Sequence, residues 1–400
     1  MRRPIRPLSE RRPSRAQISA EQLASLSHEF RTPLNGVLGM ARLLDGTRLT
    51  AEQKAYVTAL RDSGQHLLTL VNDVLDFAKL GAGRVELHPA PMSVEDLLRS
   101  VAELLSPRAR EKGLEIGWAA PAAPAVVHAD EGRLRQILLN FAGNAVKFTE
   151  TGGLLITASA PQPGRLRFSV ADSGPGVSSS DRDRIFEAFA QADQAHADLG
   201  GAGLGLAIAR RLARAMGGEV GVESEPGGGA CFWFEAAFQP LSAAAPEAPL
   251  AGHTVGMASP NRMVREAARR QIEACGGQAR AAPSLTETVA ATRPGDVVLV
   301  DAALAGSGGR LKPPAERPAI ILLAPDERGR IAGDRRAGFA GYLIKPLRRA
   351  SLAERALIAL GAAGPTAPSP GEDERIAAAA APGARVLLVE DNPINALLAR

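Results

Sequence analysis

Residues 19–44 read SAEQLASLSHEFRTPLNGVLGMARLL, and the fold of the chain is worked out from this stretch. Ser19-Ala-Glu-Gln22 has the form of a capping box, in which the serine hydroxyl and the glutamine side chain each satisfy a free backbone N–H, so a helix is predicted to start there. Leu23, Leu26, Phe30, Leu34, Val37, Ala41 and Leu44 recur three and four residues apart, one stripe along that helix, until Asp45-Gly46 stops it. Thr50-Ala-Glu-Gln53 is a second capping box, and Val57, Leu60, Gly64, Leu67, Val71, Val74 and Ala78 keep the same spacing as far as Gly81. Two antiparallel helices with narrow stripes bury little surface alone. The expected arrangement is a helical hairpin at 17–82 that forms a dimeric four-helix bundle, a homodimer; packing of the hairpin on its own chain is the alternative.

Within the first helix, His28 lies two residues from both Leu26 and Phe30, roughly 200° around from the apolar stripe, and is predicted to face solvent. Glu29 offers a carboxylate beside it, and Thr32 follows one turn later. Pro33 removes its own N–H and crowds the carbonyl of Glu29, which predicts a loosened or kinked helix at the histidine. An imidazole that is largely neutral near pH 7 carries a lone pair able to attack phosphorus if a base holds its other nitrogen. The run Ser27-His28-Glu29-Phe30-Arg31-Thr32-Pro33-Leu34-Asn35 resembles the phosphoacceptor box of histidine kinases. That resemblance implies that His28 is phosphorylated, that Glu29 assists proton removal, and that Thr32 positions a water for the reverse, phosphatase reaction.

From 85 to 239 the pattern becomes mixed. Ser93 caps a helix to about Lys112, Leu114–Ala119 reads as a strand, and Glu131–Phe148 is a longer helix; strands follow at Leu154–Ala160 and Arg165–Ala171, a helix at Leu204–Met216, and strands at Val220–Glu223 and Ala230–Phe238. Helices interleaved with antiparallel strands predict an α+β two-layer sandwich.

Four segments of this region resemble, in order, the ATP-binding domain that histidine kinases share with gyrase and the MutL proteins. In Arg135–Thr149, the residues Asn140, Asn144 and Lys147 fall at i, i+4 and i+7, on one helical face, where an amide oxygen can join an oxygen-rich Mg²⁺ shell and a lysine can meet phosphate. By resemblance Asn144 is the metal ligand, with Asn140 beside it. In Asp172-Ser-Gly174-Pro-Gly176 a carboxylate at a strand end can accept the adenine amino group, while the glycines let a planar base approach the backbone. Ile185-Phe186-Glu187-Ala188-Phe189, with the polar stretch to Leu199, resembles the phenylalanine box and the lid over the nucleotide. In Gly200–Ala209, Gly201, Gly203, Gly205 and Leu206 lead straight into a helix whose N-terminal amides can hold phosphates. The cofactors so implied are ATP and Mg²⁺. Two positions depart from the family's usual pattern: Ala202 stands where threonine is usual, and Ala197-Asp198 where a basic residue is often found.

Residues 240–251 are an Ala/Pro linker, and 252–361 carry short buried-type strands at Thr254–Ala258, Val297–Asp301, Ala319–Ala324 and Gly341–Ile344, the signature of a doubly wound α/β sheet. Asp301 resembles the acceptor of a receiver domain and Lys345-Pro346 its phosphate-contacting lysine motif. The acidic pair expected after the first strand is replaced by Ser259-Pro260, and the Ser/Thr of the fourth strand by Ala324. With too few carboxylates for Mg²⁺, this is expected to be a degenerate receiver that takes no phosphate. A second linker, 362–384, precedes Arg385–Arg400, whose Glu390-Asp391 matches the start of a competent receiver that 16 residues are too few to complete; a fragment or a truncated product is expected.

Composition narrows the classes further. Net charge is +4, but the excess sits in the basic tail at 1–16, with Arg2, Arg3, Arg6, Arg11, Arg12 and Arg15, read as solvated rather than as a nucleic-acid or membrane contact. Two cysteines, Cys231 and Cys275, exclude a disulfide framework, and no apolar run spans a bilayer, so a cytoplasmic setting is expected. The chain is thus identified as a member of the bacterial hybrid histidine kinases, expected to autophosphorylate His28 and pass the group to a receiver-domain aspartate. The expected partners are a second copy, a response-regulator or receiver domain, and a histidine phosphotransfer protein. A nucleotide-binding scaffold without catalysis is the second reading, and an ATP-driven clamp the third.

Overall fold

The computed structural model describes residues 20–81, 86–123, 126–190, 203–225, 227–241, 248–306, 309 and 311–362, with the backbone alone at 20–29, 31 and 79–81. The basic tail, Gly201, Ala202, the lid stretch 191–199 and the terminal segment 385–400 lie outside these residues. The described residues form two compact units, one ending at Gly81 and one beginning at Glu86.

The first unit is a hairpin of α1 (Ala20–Asp45) and α2 (Ala51–Gly81). The second capping box forms as written in the sequence: Thr50 N–H donates to Gln53 Oε1 at 3.0 Å, and Gln53 N–H donates to Thr50 Oγ1 at 3.2 Å. Helix α1 continues through Pro33. On this single hairpin the predicted stripes divide: Ala41, Val57 and Gly64 are buried, together with Gly36, Leu38, Gly39 and Leu75 from outside them, whereas Phe30, Val37, Leu44, Leu60, Leu67 and Val74 are exposed. Small residues explain the difference: a Cβ on Gly64 would lie 2.9 Å from Leu38 Cδ2, so the helices approach where glycine stands and leave the larger side chains on the outside.

The second unit begins with β1 (Ala90–Ser93), α3 (Val94–Glu111), β2 (Glu115–Ala119), β3 (Val126–Ala129) and α4 (Glu131–Phe148). It continues through β4 (Gly153–Gln162), β5 (Arg165–Asp172), α5 (Gly205–Ala215), β6 (Glu219–Ser224), β7 (Ala230–Ala237) and β8 (Gln239–Pro240). The main sheet has the order β2-β4-β5-β7-β6; β2 and β4 are parallel and the remaining pairs antiparallel. Alternation along β5 and β7 sends Leu166, Phe168, Val170, Phe232 and Phe234 to one face, where α3, α4 and α5 cover them. Three short strands escaped the sequence reading: β1, β3 and β8 make a separate antiparallel sheet of two to four residues each, too short for periodicity to register. The segment predicted as a linker from Pro240 therefore starts inside a strand and ends in a core, since Leu250 is fully buried beside Val255, Ile272 and Cys275.

The remainder is a parallel five-stranded sheet, β9 (Thr254–Ala258), β10 (Gln278–Ala282), β11 (Val297–Asp301), β12 (Ala319–Leu323) and β13 (Gly341–Ile344), in the order β10-β9-β11-β12-β13. Helices α6 (Arg262–Ala274), α7 (Leu285–Ala291) and α8 (Ile331–Arg336) lie between strands, and α9 (Arg349–Ala359) follows the last one. Strand β10, Gln-Ala-Arg-Ala-Ala, was not predicted because an edge strand carries little apolar pattern.

Helix α6 also lies across the outer face of β2 and β4, joining the two sheets. Leu155, Met263 and Ala267 are buried together, Gln271 Nε2 donates to Trp118 O at 2.7 Å, and Asn261 Nδ2 donates to Gly152 O at 2.9 Å. Ion pairs rim the contact, Arg348 to Glu103 at 2.9 Å, Arg349 to Glu95 at 3.2 Å and Arg110 to Asp326 at 3.2 Å. A Cβ on Gly117 would fall 2.7 Å from Ala267 Cβ, closer than two carbons can sit. Gly117→Val is therefore expected to wedge α6 off β2 at a cost of about 1–3 kcal/mol, the usual price of overpacking. Faster amide exchange along α6 and β2, with β5 and β7 unchanged, is the signature to be measured.

Candidate functional site: a nucleotide cradle between helix α4 and the glycine turn

Asp130 starts α4 by accepting from Arg133 N–H at 3.0 Å, and its other oxygen accepts from His88 N–H at 2.9 Å. Leu134, Ile137, Leu138, Phe141 and Ala145 form the buried face of the helix, so Asn140, Asn144 and Lys147 share the side away from it. The far end is held by Lys112, whose ammonium donates to Val146 O at 2.7 Å, Lys147 O at 2.9 Å and Thr149 O at 3.2 Å. A cation there satisfies carbonyls that no intrahelical donor reaches. Lys112 carries no functional signal in the sequence beyond a Lys-Gly pair at the end of the preceding helix, which reads as an ordinary cap.

Asn140 Nδ2 donates to Gly205 O at 2.9 Å, tying α4 to the first residue of α5. The asparagine helix and the end of the glycine turn are thus adjacent. Gly203 has φ +66°, and a Cβ there would sit 2.6 Å from Ala190 O, so this backbone requires glycine. Its carbonyl accepts from Phe189 N–H at 3.1 Å, which joins the phenylalanine box to the turn. The two phenylalanines differ: Phe186 is buried against Phe232, ring centroids 6.3 Å apart, while Phe189 is 66% exposed. Leu206, in the first turn of α5, is half-buried.

Asp172 ends β5. Its Oδ1 accepts from Gly174 N–H at 2.8 Å and from Ala230 N–H at 3.3 Å. Burial pushes the Asp172 carboxyl above the usual carboxylate range, against the pull of those two amides. Gly176 takes φ +79°, and a Cβ there would meet Glu225 O at 2.4 Å. Lys147 lies 4.5 Å from the centre of the Phe148 ring, and burial, then the charge of Arg108, lower its pKa. His28 and Glu29 lie on α1, but their side chains are outside the described residues; the Thr32 side chain is exposed.

In the receiver-like sheet the predicted pair meets. Asp301, wholly buried, accepts from Lys345 Nζ at 3.1 Å, from Ser259 Oγ at 2.6 Å and from Ala303 N–H at 3.1 Å. Ser259 thus spends on Asp301 the position where a receiver needs a metal-binding carboxylate. Lys345 also contacts Glu115 of β2, a partner the sequence reading did not find because it comes from the other sheet. Although burial opposes the charge, the carboxylates of Asp301 and Glu115 hold the ammonium above the usual lysine range.

A chain with an asparagine-bearing helix tied to a glycine turn and an acidic strand end, after a histidine-bearing helical hairpin, has the parts of an ATP-dependent phosphotransferase. The profile described as "Histidine kinase-, DNA gyrase B-, and HSP90-like ATPase" matches residues 129–240, and that of the "His Kinase A (phospho-acceptor) domain" matches residues 19–83. The crystal structure of full-length ShkA in complex with AMPPNP superposes with a TM-score of 0.79 at 61% identity, covering 96% of this chain and 79% of that one. Sensor histidine kinase AruS of Pseudomonas aeruginosa is 37% identical over 368 residues, 87% of this chain and 36% of that protein; sensor protein GacS of Pseudomonas syringae pv. syringae is 39% identical over 272 residues, 66% and 30%. The chain belongs to the hybrid histidine kinases. It spans about a third of the length of these curated relatives. No helix among the described residues is long and apolar enough to cross a membrane.

Proposed function

We propose that the chain is an ATP-dependent protein-histidine kinase in which His28 is phosphorylated and the phosphoryl group then passes to a receiver-domain aspartate. The observation that carries this reading is the Asn140–Gly205 hydrogen bond, which ties the asparagine-bearing helix α4 to the first residue of the helix that follows the glycine turn. Asp172 holds the adenine amino group, Gly174 and Gly176 leave room for the base, and the amides of Gly201, Gly203, Gly205 and Leu206 receive the phosphates. Asn144, with Asn140 beside it, offers amide oxygen to Mg²⁺, which when bound neutralises phosphate charge; Lys147 adds a cation on the same helical face.

In the transfer, an imidazole nitrogen of His28 bonds to the γ-phosphorus as the bond to the β–γ bridging oxygen breaks and ADP departs; the proton on the other ring nitrogen goes to Glu29. The reaction runs in a homodimer. The exposed Phe30, Val37, Met40, Leu43, Leu44, Leu60, Leu67 and Val74 of a single hairpin fit a second copy completing a four-helix bundle. Thr32 serves the reverse, phosphatase reaction, and a response regulator or a histidine phosphotransfer protein is the partner downstream.

Incubation of the full chain with γ-labelled ATP and Mg²⁺ should give an acid-labile, alkali-stable label. Nucleotide binding without any label would instead favour a scaffold. The receiver-like domain stays unlabelled: with both Asp301 oxygens engaged and Ser259 in place of a carboxylate, acetyl phosphate and Mg²⁺ should leave no hydroxylamine-sensitive phosphate on Asp301. Such a phosphate, mapped by mass spectrometry, would overturn the degenerate-receiver reading.

A further inference from the structure

Ser259, Asp301 and Lys345 stand at or just past the carboxyl ends of β9, β11 and β13, the rim where a doubly wound sheet ordinarily opens to its ligands. Here the rim is closed: Ser259 and Asp301 are wholly buried and Lys345 is 7% exposed. Strand β2, at the edge of the main sheet, lies against it. Lys345 pairs with Glu115 at the start of β2, and Gln271, also wholly buried, donates through Nε2 to Trp118 O at 2.7 Å and to Leu347 O at 3.0 Å. The Lys345-Pro346-Leu347 turn is therefore tied to β2 at two points, by charge at Glu115 and by an amide bridge at Trp118. Asn261, in the loop that lacks the acidic pair, adds a third tie by donating to Gly152 O at 2.9 Å.

The charges explain why the rim can close. Within its own domain Lys345 donates to Asp301 at 3.1 Å, and Asp301 is in turn held by Ser259 Oγ at 2.6 Å and Ala303 N–H at 3.1 Å. Asp301 so fixed holds the ammonium at the end of β13, where Glu115 meets it. Two carboxylates around one ammonium already leave an excess negative charge. An acid at 259, a wholly buried position, would add to that excess in a poorly solvated place where like charges repel strongly, and Glu115 would be driven off. A serine there donates to Asp301 instead and adds no charge.

We propose that the pocket resembling a phosphoacceptor site is a docking latch: Asp301 orients Lys345 onto Glu115, and the receiver-like domain is thereby fixed to the edge of the ATPase sheet so that the two domains open and unfold together. Lys345 is the docking residue and Asp301 the positioning residue behind it. Ser259 in place of an acid is then a condition of the contact, beyond the loss of a metal site. The latch goes beyond the phosphotransfer reading and stands without it, since no nucleotide or phosphate takes part.

Hydrogen exchange of the full chain, followed by mass spectrometry, tests the latch. Glu115→Gln removes the charge and keeps the size. It should speed exchange of segments 115–119 and 343–347 roughly 5- to 20-fold, the size expected for one hydrogen bond to a charged group at a partly exposed site. Strand β6, at the opposite edge of the main sheet, should not change. Asp301→Asn should speed the same two segments, and its effect should largely disappear in the Glu115→Gln background, because both changes break one connection. Wild-type exchange in Glu115→Gln would overturn the proposal. So would effects of the two substitutions that simply multiply, which would mark Asp301 as a core residue of its own domain with no part in docking. If Asp301→Asn does not fold, Ser259→Ala, which frees the same carboxylate, takes its place in the comparison, and the same two outcomes decide.

Discussion

His28→Gln is expected to abolish the acid-labile label from γ-labelled ATP, a fall on the order of a thousandfold or more, while ATP affinity stays at the wild-type level. Removing a covalent nucleophile leaves no alternative first step, which is why such variants lose activity far beyond the strength of any one contact. Glutamine keeps size and polarity and lacks a ring nitrogen that can hold phosphate. Retained binding follows because the groups proposed to hold ATP all lie between Asn140 and Leu206, a separate stretch of chain from α1. Glu29→Gln should give an intermediate result, a loss of roughly a hundred- to ten-thousandfold, because it removes only the proton acceptor. A label that persists in His28→Gln would place the phosphoryl group elsewhere and end the kinase assignment as stated. Quantifying label and calorimetric affinity on the same preparations separates this from simple misfolding.

What the sequence disclosed, and what it hid, follows from the range of the interactions. Local chemistry was legible: Thr50 and Gln53 form their reciprocal bonds, Ser93 accepts from Asp96 N–H at 3.2 Å, and α4 occupies Glu131–Phe148 as its periodicity indicated. Strands β9, β11 and β13 also fall where continuous apolar runs put them, and β12 ends one residue short of its predicted bound. Features made by distant partners were hidden. Nothing near Gly117 announces the Ala267 methyl that needs its missing Cβ, and nothing near Lys345 announces Glu115. The hairpin stripe was incomplete for a related reason, because spacing of three and four cannot say which partner a leucine serves; Leu38, outside the predicted stripe, packs on Gly64, while Leu60, within it, is exposed on the single hairpin. At the nucleotide site, the residue types were visible in order, but the Asn140–Gly205 bond exists only once α4 and α5 meet.

Asp172→Asn is expected to weaken ATP binding by roughly 10- to 100-fold, corresponding to the loss of a charge-assisted hydrogen bond worth about 1.5–3 kcal/mol. The amide can turn its NH₂ toward the adenine amino group and so oppose it, and even with its oxygen forward it is an uncharged acceptor. The wild-type protein should show the same chemistry through pH. Burial raises the Asp172 carboxyl above the ordinary carboxylate range, so as pH falls the residue takes up its proton sooner than an exposed aspartate would. Only the ionised form accepts from the 6-amino group in both directions open to it. Affinity should therefore be flat at neutral pH and decline on acidification, starting above the range in which exposed aspartates titrate. In Asp172→Asn that decline should vanish while the overall weakness remains. Kd measured by titration across this interval, with thermal melting of the nucleotide-free protein to set the lower pH limit, checks both statements at once. A wild-type affinity that ignores pH, or an asparagine variant that keeps the acid limb, would mean that another group receives the adenine amino group. The Gly174 and Ala230 amides would then be holding Asp172 only as a brace for the glycine turn after β5.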